Sequence, residues 1–133
     1  MIGDSVTSAL IQKALDGTWQ RQRAISNNIA NHETPHYKAI KVSFEEALEK
    51  EVKSLQGNLN STAGIYQGLK SIESTKIKVY SDFTGEERAD GNNVNLDLEN
   101  IEMAKTQIQY QYLTRGMSDM FARLRYAISE GKK

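Results

Sequence analysis

The positions Met103, Thr106, Tyr110, Leu113, Met117, Met120, Leu124 and Ala127 repeat at spacings of three and four without a break. Only a helix with one persistent apolar side satisfies that period over seven turns. Ile101, Ala104, Ile108, Phe121 and Ile128 broaden the stripe. The pattern predicts a helix over about 95–130. Asn95 or Asp97 supplies its N-cap, Glu99 and Glu102 sit at the positive end of its dipole, and Gly131 caps its C-terminus.

A second seam lies at the other end of the chain. Ile11, Leu15, Thr18, Gln22, Ile25 and Ile29 alternate in the same way, with Leu10, Ala14 and Ala24 beside them. This predicts a helix over about 4–31, capped by Asp4 or Ser5. It fails near Asn27, Asn28 and Asn31, which compete for backbone hydrogen bonds, and Pro35 forbids its continuation. A turn over 32–42 follows. Ser43 and Glu46 then fit a capping box, and Phe44, Leu48, Val52 and Leu55 recur at helical spacing, predicting a short helix over about 43–55. Residues 57–93 hold five of the nine glycines and read as an irregular or partly β middle. Ile77–Tyr80 is its one candidate strand, and Asp90-Gly91 is a turn signal.

The expected fold is therefore mainly α. It is an elongated antiparallel pair of long terminal helices, with a short extra helix and a glycine-rich middle, in a single domain over 1–133. A helix of some 36 residues is about 54 Å long, against roughly 36 Å for the diameter of a globule of this size. Two helices cover only one face of each other, so the remaining apolar faces call for other chains. The expected assembly seam comprises Ile11, Leu15, Trp19, Ile25, Ile29, Met103, Tyr110, Leu113, Met117, Met120 and Leu124. Trp19 reads as an interface anchor or as simple partial burial.

Composition narrows the function. The 133 residues carry 17 basic and 17 acidic side chains and no cysteine. Disulfides, cysteine metal sites and thiol catalysis are excluded. Zero net charge argues against nucleic acid as a partner and removes the self-repulsion that keeps copies apart. No apolar run approaches a membrane span. The opening MIGDSVTSALIQKALDG lacks the regions of a cleavable secretory signal.

Two strings invite a chemical reading. His32-Glu33-Thr34-Pro35-His36 matches the H-E-x-x-H of zinc peptidases letter for letter. The motif needs both histidines on one helical face, and Pro35 breaks that geometry, even with Glu45, Glu46 or Glu49 as a third ligand. Asp90–Asn95 echoes a calcium loop, but its glycine stands second rather than sixth, and position twelve is Ile101. Neither supports a metal, a cofactor, a small-molecule substrate or an enzyme. Met103, Met117 and Met120 read as packing.

The segment Ile25-Ser26-Asn27-Asn28-Ile29-Ala30-Asn31-His32-Glu33-Thr34-Pro35-His36-Tyr37-Lys38-Ala39 resembles the N-terminal signature of bacterial flagellar rod and hook proteins, N-N-x-A-N-x-x-T-x-G-Y-K. Asn27, Asn28, Ala30, Asn31, Thr34, Tyr37 and Lys38 match, with Pro35 inside the string. His36 stands where glycine is usual, which makes a positive φ costlier. The run Asp90–Asp97 with the seam after it is similar to the proximal rod members in particular. The resemblance implies a structural subunit of the basal-body rod, a periplasm-spanning part of the flagellum that serves motility. It also implies export through the flagellar type III apparatus. Phe44 and Leu48 then fit an export-gate contact, or plain packing. The implied partners are other rod proteins, the adaptor joining rod to membrane ring, further copies of the chain and the export apparatus. A soluble coiled-coil adaptor or chaperone is the alternative, with a zinc peptidase remote.

Overall fold

The computed structural model describes residues 2–131, and side chains from Asp4 onward. The fold is mainly helical, in the order α1 (Ile2–Ala30), β1 (Ile40–Ser43), α2 (Glu45–Leu55), α3 (Thr62–Ser74), β2 (Lys78–Ser81) and α4 (Leu96–Glu130). The two terminal helices have 29 and 35 residues. Asn95 caps α4, its Oδ1 accepting from the Leu98 amide at 3.2 Å. Asp97 and Glu99 lie in the first turn, where carboxylates suit the dipole. The Gly131 amide closes the far end on the Ala127 carbonyl at 3.0 Å, without a positive φ.

Three expectations change. Helix α1 starts at Ile2, so Asp4 lies inside its first turn rather than capping it. Ser43 ends β1 opposite Lys78, and α2 opens only at Glu45. The middle is not wholly irregular, since α3 occupies Thr62–Ser74. Ser61 caps it, accepting from the Gly64 amide at 3.0 Å. Ile65, Leu69 and Ile72 do carry a helical period, but Gly64 and Gly68 interrupt the string. Gly68 belongs there because any Cβ would collide with Leu55. Packing thus overrides the helix cost of glycine, about 1 kcal/mol.

The chain divides into two compact units. One comprises residues 1–15, 45–75 and 111–133. Its core is Val6, Leu55 and Ile72, with Ala9, Leu10, Ile65 and Leu69 packed around them. The Lys13 ammonium donates to the Glu73 carbonyl at 2.8 Å, and Ser71 donates to Glu51. Within this unit Ile11 sits where a Cβ on Gly116 would touch it, at 3.7 Å.

The other unit comprises residues 16–44 and 76–110. Strands β1 and β2 pair antiparallel, with Ile40 opposite Ser81 and Val42 opposite Val79. Ala24, Ile25, Ala39, Val42, Phe44 and Val94 are buried here. So are the polar Thr18, Asn28, Asn92 and Thr106. Among the described residues, no buried side-chain nitrogen or oxygen lacks a hydrogen-bond partner. Thr106 shows how: its hydroxyl bonds back to the Glu102 carbonyl at 2.7 Å.

Candidate assembly surfaces

The signature string forms a turn locked by asparagines. Helix α1 ends at Ala30, and Asn31 Nδ2 returns to the Asn27 carbonyl at 2.8 Å. Thr34 donates its hydroxyl to Asn31 Oδ1 at 3.1 Å. His36 takes φ 62°, a left-handed conformation in which a histidine replaces the usual glycine. Its amide donates to the Asp90 carbonyl at 2.9 Å.

The loop before α4 clasps this turn. Asn92 Nδ2 donates to the carbonyls of Asn31 at 2.9 Å and Thr34 at 2.8 Å. Asn93 Oδ1 accepts from the Ala39 amide at 2.7 Å, and its Nδ2 donates to the Asp82 carbonyl at 2.6 Å. The Lys38 ammonium reaches Glu87 at 2.5 Å and the Gly91 carbonyl at 2.6 Å. Arg88 donates to the His32 carbonyl. Gly91 has φ 80°, and a Cβ there would stand 2.7 Å from His36 Nδ1. The string Asp90–Asn93, read from sequence as a turn and as part of the resemblance, therefore closes on the signature turn. Its signal was the run of asparagines, whose amide groups both donate and accept.

Asn28 is the hub beneath. Its Oδ1 accepts from the Tyr37 hydroxyl at 3.1 Å and the Ile40 amide at 2.8 Å. Its Nδ2 donates to the Ile40 carbonyl at 2.9 Å and Glu99 Oε2 at 3.1 Å. All its hydrogen-bonding sites are thus used. Burial pushes the Glu99 carboxyl above the usual range, against the opposing Asn28 bond and Lys41 charge. Burial, with the Glu99 charge added, also raises the Tyr37 hydroxyl. The hydrogen bond with Asp82, 2.9 Å away, chiefly raises Lys41. Two Thr84 hydrogen bonds, then Lys41, hold Asp82 well below its ordinary value.

The expected seam residues divide by exposure. Ile25 and Met120 are buried, and Ile11, Leu15, Ile29, Met103, Leu113 and Met117 are half-buried. Trp19 is 52% exposed, with the Arg23 guanidinium 4.8 Å above its ring, and Tyr110 and Leu124 are also exposed. On α4 the residues read as broadening the stripe, Ile101, Ala104, Ile108, Phe121 and Ile128, are all exposed, whereas on α1 Leu10 and Ala14 are half-buried and Ala24 is buried. Leu98, Ile101, Ile108 and Tyr112 form an exposed row on α4. Beyond buried Met120, every residue from Phe121 to Glu130 is exposed, including Phe121, Leu124, Tyr126 and Ile128.

A groove of about 610 Å³ opens in the unit that carries the signature. Ala24, Ile25, Ala39, Val42 and Leu98 give it apolar walls, and Arg21, Lys41, Asp82, Glu86, Glu99 and Glu102 give it charge. Arg21 donates to the Val42 carbonyl at 2.8 Å and lies 4.8 Å over the Phe44 ring.

The remaining singled-out residues have structural places. His32 and His36 lie past the end of α1, with His32 Nδ1 2.9 Å from the Ile29 carbonyl. Among the described residues, no three His, Cys, Asp or Glu side chains gather as a metal site. Phe44 and Leu48 are buried, Phe44 against Gly17. No described helix is long and apolar enough to cross a membrane.

No protein-family model matches the chain. Comparison with curated proteins gives a consistent answer. The chain is 36% identical over 122 residues to the flagellar basal body rod protein FlgB of Bacillus subtilis (strain 168), covering 92% of each. It is 33% identical over 113 residues to FlgB of Borreliella burgdorferi, covering 80% of this chain and 84% of the relative. It is 27% identical over 128 residues to FlgB of Escherichia coli (strain K12), covering 90% and 91%. Identity at this level along nearly the whole length, with the signature turn folded as a closed hydrogen-bonded unit, places the chain in the FlgB family of flagellar basal body rod proteins.

Proposed function

We propose that the chain, a structural subunit of the flagellar basal-body rod, joins its neighbours through the apolar surface of α4. The observation that carries this reading is the exposure of Leu98, Ile101, Ile108 and Tyr112, and of the whole Phe121–Glu130 segment. Large apolar side chains left open in this number on one helix mark an interaction surface. Its burial between subunits is worth about 25 cal/mol per Å².

Helices α1 and α4 run antiparallel in this reading. The Asn28–Glu99, Arg21–Gln109 and Ile11–Gly116 neighbours support it, because the partner number falls as the first rises. The chain acts as one subunit, and the Asn28 hub ties the end of α1 to Tyr37, Ile40 and Glu99. The neighbours are other rod proteins, further copies and the adaptor that joins rod to membrane ring. The chain leaves the cytoplasm through the flagellar export apparatus. Phe44 and Leu48 meet the gate before folding, since both are buried afterwards.

Deletion of the gene in the source bacterium, with complementation by a tagged copy, tests the reading. The expected result is loss of swimming, its restoration by the tagged copy, and the tag in purified basal bodies. A deletion strain that swims with intact rods overturns it.

A further inference from the structure

We infer that the groove beside the Asn28 hub receives the exposed C-terminal turns of α4 from a second copy of this chain. This rests on the rod-subunit reading and specifies one contact within it. The groove presents the carboxyl groups of Asp82, Glu86, Glu99 and Glu102 against Arg21 and Lys41, over apolar walls. Lys41 pairs with Asp82, Glu102 pairs with Lys105 at 3.1 Å, and Arg21 donates to the Val42 carbonyl, so Glu86 and Glu99 are the carboxyl groups left to face an incoming cation. The segment Phe121–Ser129 has the complementary character. It holds Arg123 and Arg125 and the large apolar side chains Phe121, Leu124, Tyr126 and Ile128, and the one carboxylate of these turns, Glu130, lies just beyond it. Every one of these is exposed, and Tyr126 is 68% exposed.

Charge and shape select this occupant over other parts of the chain. The apolar row Leu98, Ile101, Ile108 and Tyr112 is interrupted by Glu102 and Lys105 and offers no cationic excess. A contact between two different patches of like copies is heterologous. It leaves one free groove and one free helix end on every pair, so addition continues rather than stopping at a dimer. Complementary charges at its edge set register and partner choice.

The test is a charge exchange in the purified full chain, followed by sedimentation equilibrium at two salt concentrations. One variant reverses the groove, Glu86→Arg with Glu102→Arg, both exposed positions. The other reverses the helix end, Arg123→Glu with Arg125→Glu. Circular dichroism confirms that each folds. Each variant alone should self-associate about tenfold more weakly than the wild type. The two mixed should recover to within about threefold, because each now complements the other. Wild-type association should weaken as salt rises. A mixture no tighter than either variant alone overturns the inference. So does a wild-type chain that stays monomeric, the outcome expected if a different rod protein fills the groove. Basal bodies that still contain the chain in that case leave the rod reading intact, whereas basal bodies without it sink the rod reading instead.

Discussion

Asn28 and Glu99 meet across 71 positions of sequence, with Asn28 Nδ2 donating to Glu99 Oε2 at 3.1 Å and both side chains buried. The bond ties the end of α1 to the first turns of α4 and brings a carboxylate into poorly solvated surroundings. Burial, reinforced by Glu102, raises the Glu99 carboxyl, although Asn28 and Lys41 favour its charged form. The folded chain therefore holds this proton more tightly than the unfolded one. That contribution to stability is complete below the ordinary carboxylate range and is lost as pH rises through the folded value. Asp82, held low by Thr84 and Lys41, has the opposite slope. Glu99→Gln isolates the first effect. It should be at least as stable as the wild type near neutrality, with an advantage that shrinks on acidification. Urea midpoints from pH 4 to 7 measure this, and an advantage that grows toward acid would refute it.

Asn28→Ala removes four hydrogen bonds from a buried site. The Ile40 amide and carbonyl, the Tyr37 hydroxyl and the Glu99 carboxylate lose their partner together. A buried group left unpaired costs about 1–3 kcal/mol, and water replaces some of the bonds, so a loss of about 2–4 kcal/mol is expected. Urea denaturation of the purified chain measures it. A loss below about 1 kcal/mol would show that the hub is solvated and does not hold the turn.

The terminal helices, the end of α1 and the start of α4 were legible because a period of three and four extends over many turns, and because Pro35 and Asn95 are strong local signals, whereas the start of α1 lies before the expected cap at Asp4 or Ser5. Strand β2 was legible as Ile77–Tyr80 and lies one residue later. Helix α3 was not, because Gly64 and Gly68 mimic a loop until Leu55 is seen to need the space. Partner choice was also hidden. A periodic stripe says that a helix has an apolar side, but not which flank its own chain covers. Thr106 is buried while Ile108, two residues on, is open. The clasp by Asn92 and Asn93 was invisible for a related reason: side-chain amides at 92 and 93 reach backbone at 31, 34, 39 and 82, and no local pattern encodes those partners.

His36 and Gly91 both occupy positive φ, at 62° and 80°, on facing segments. A left-handed non-glycine residue costs roughly 1–2 kcal/mol, and glycine adds freedom to the unfolded chain, so His36→Gly should stabilise by about 0.5–1 kcal/mol. Gly91→Ala should destabilise by more than that, since its Cβ would also press on His36. Thermal melting of the two variants decides the point. Equal melting temperatures for wild type and Gly91→Ala would refute the close approach.

Gly17 lies inside α1, where alanine would ordinarily gain about 1 kcal/mol. Here a Cβ would run into the Phe44 ring, which is 1% exposed and pinned by Arg21 on one side. The sign should reverse, with Gly17→Ala destabilising by about 1–3 kcal/mol, the range for an overpacked core. Gly57→Ala, in the turn after α2, is the open-space control, because nothing lies within 4 Å of its Cβ. Chemical denaturation of both should show a loss at 17 and little change at 57. A stabilised Gly17→Ala would mean that Phe44 moves aside freely.

Ile108 and Leu113 separate assembly from folding. Ile108 is 57% exposed in the open row of α4, whereas Leu113 is half-buried. Ile108→Glu places a carboxylate in water while the chain is alone, so its stability should stay within about 0.5 kcal/mol of wild type. In the proposed rod packing the same carboxylate is buried against a neighbour, where desolvation costs several kcal/mol unless it finds a cation. The penalty recurs in every subunit, so rods should fail and cells should stop swimming while the purified variant melts normally. Leu113→Glu should also abolish swimming, but with a loss of about 2 kcal/mol in the isolated chain, because its own fold covers part of that side chain. Arg115→Glu, an exposed position already charged, should swim at near wild-type speed. Swimming assays beside melting curves distinguish the three. Normal motility of Ile108→Glu, with intact basal bodies, would show that the open row of α4 faces water in the rod as well.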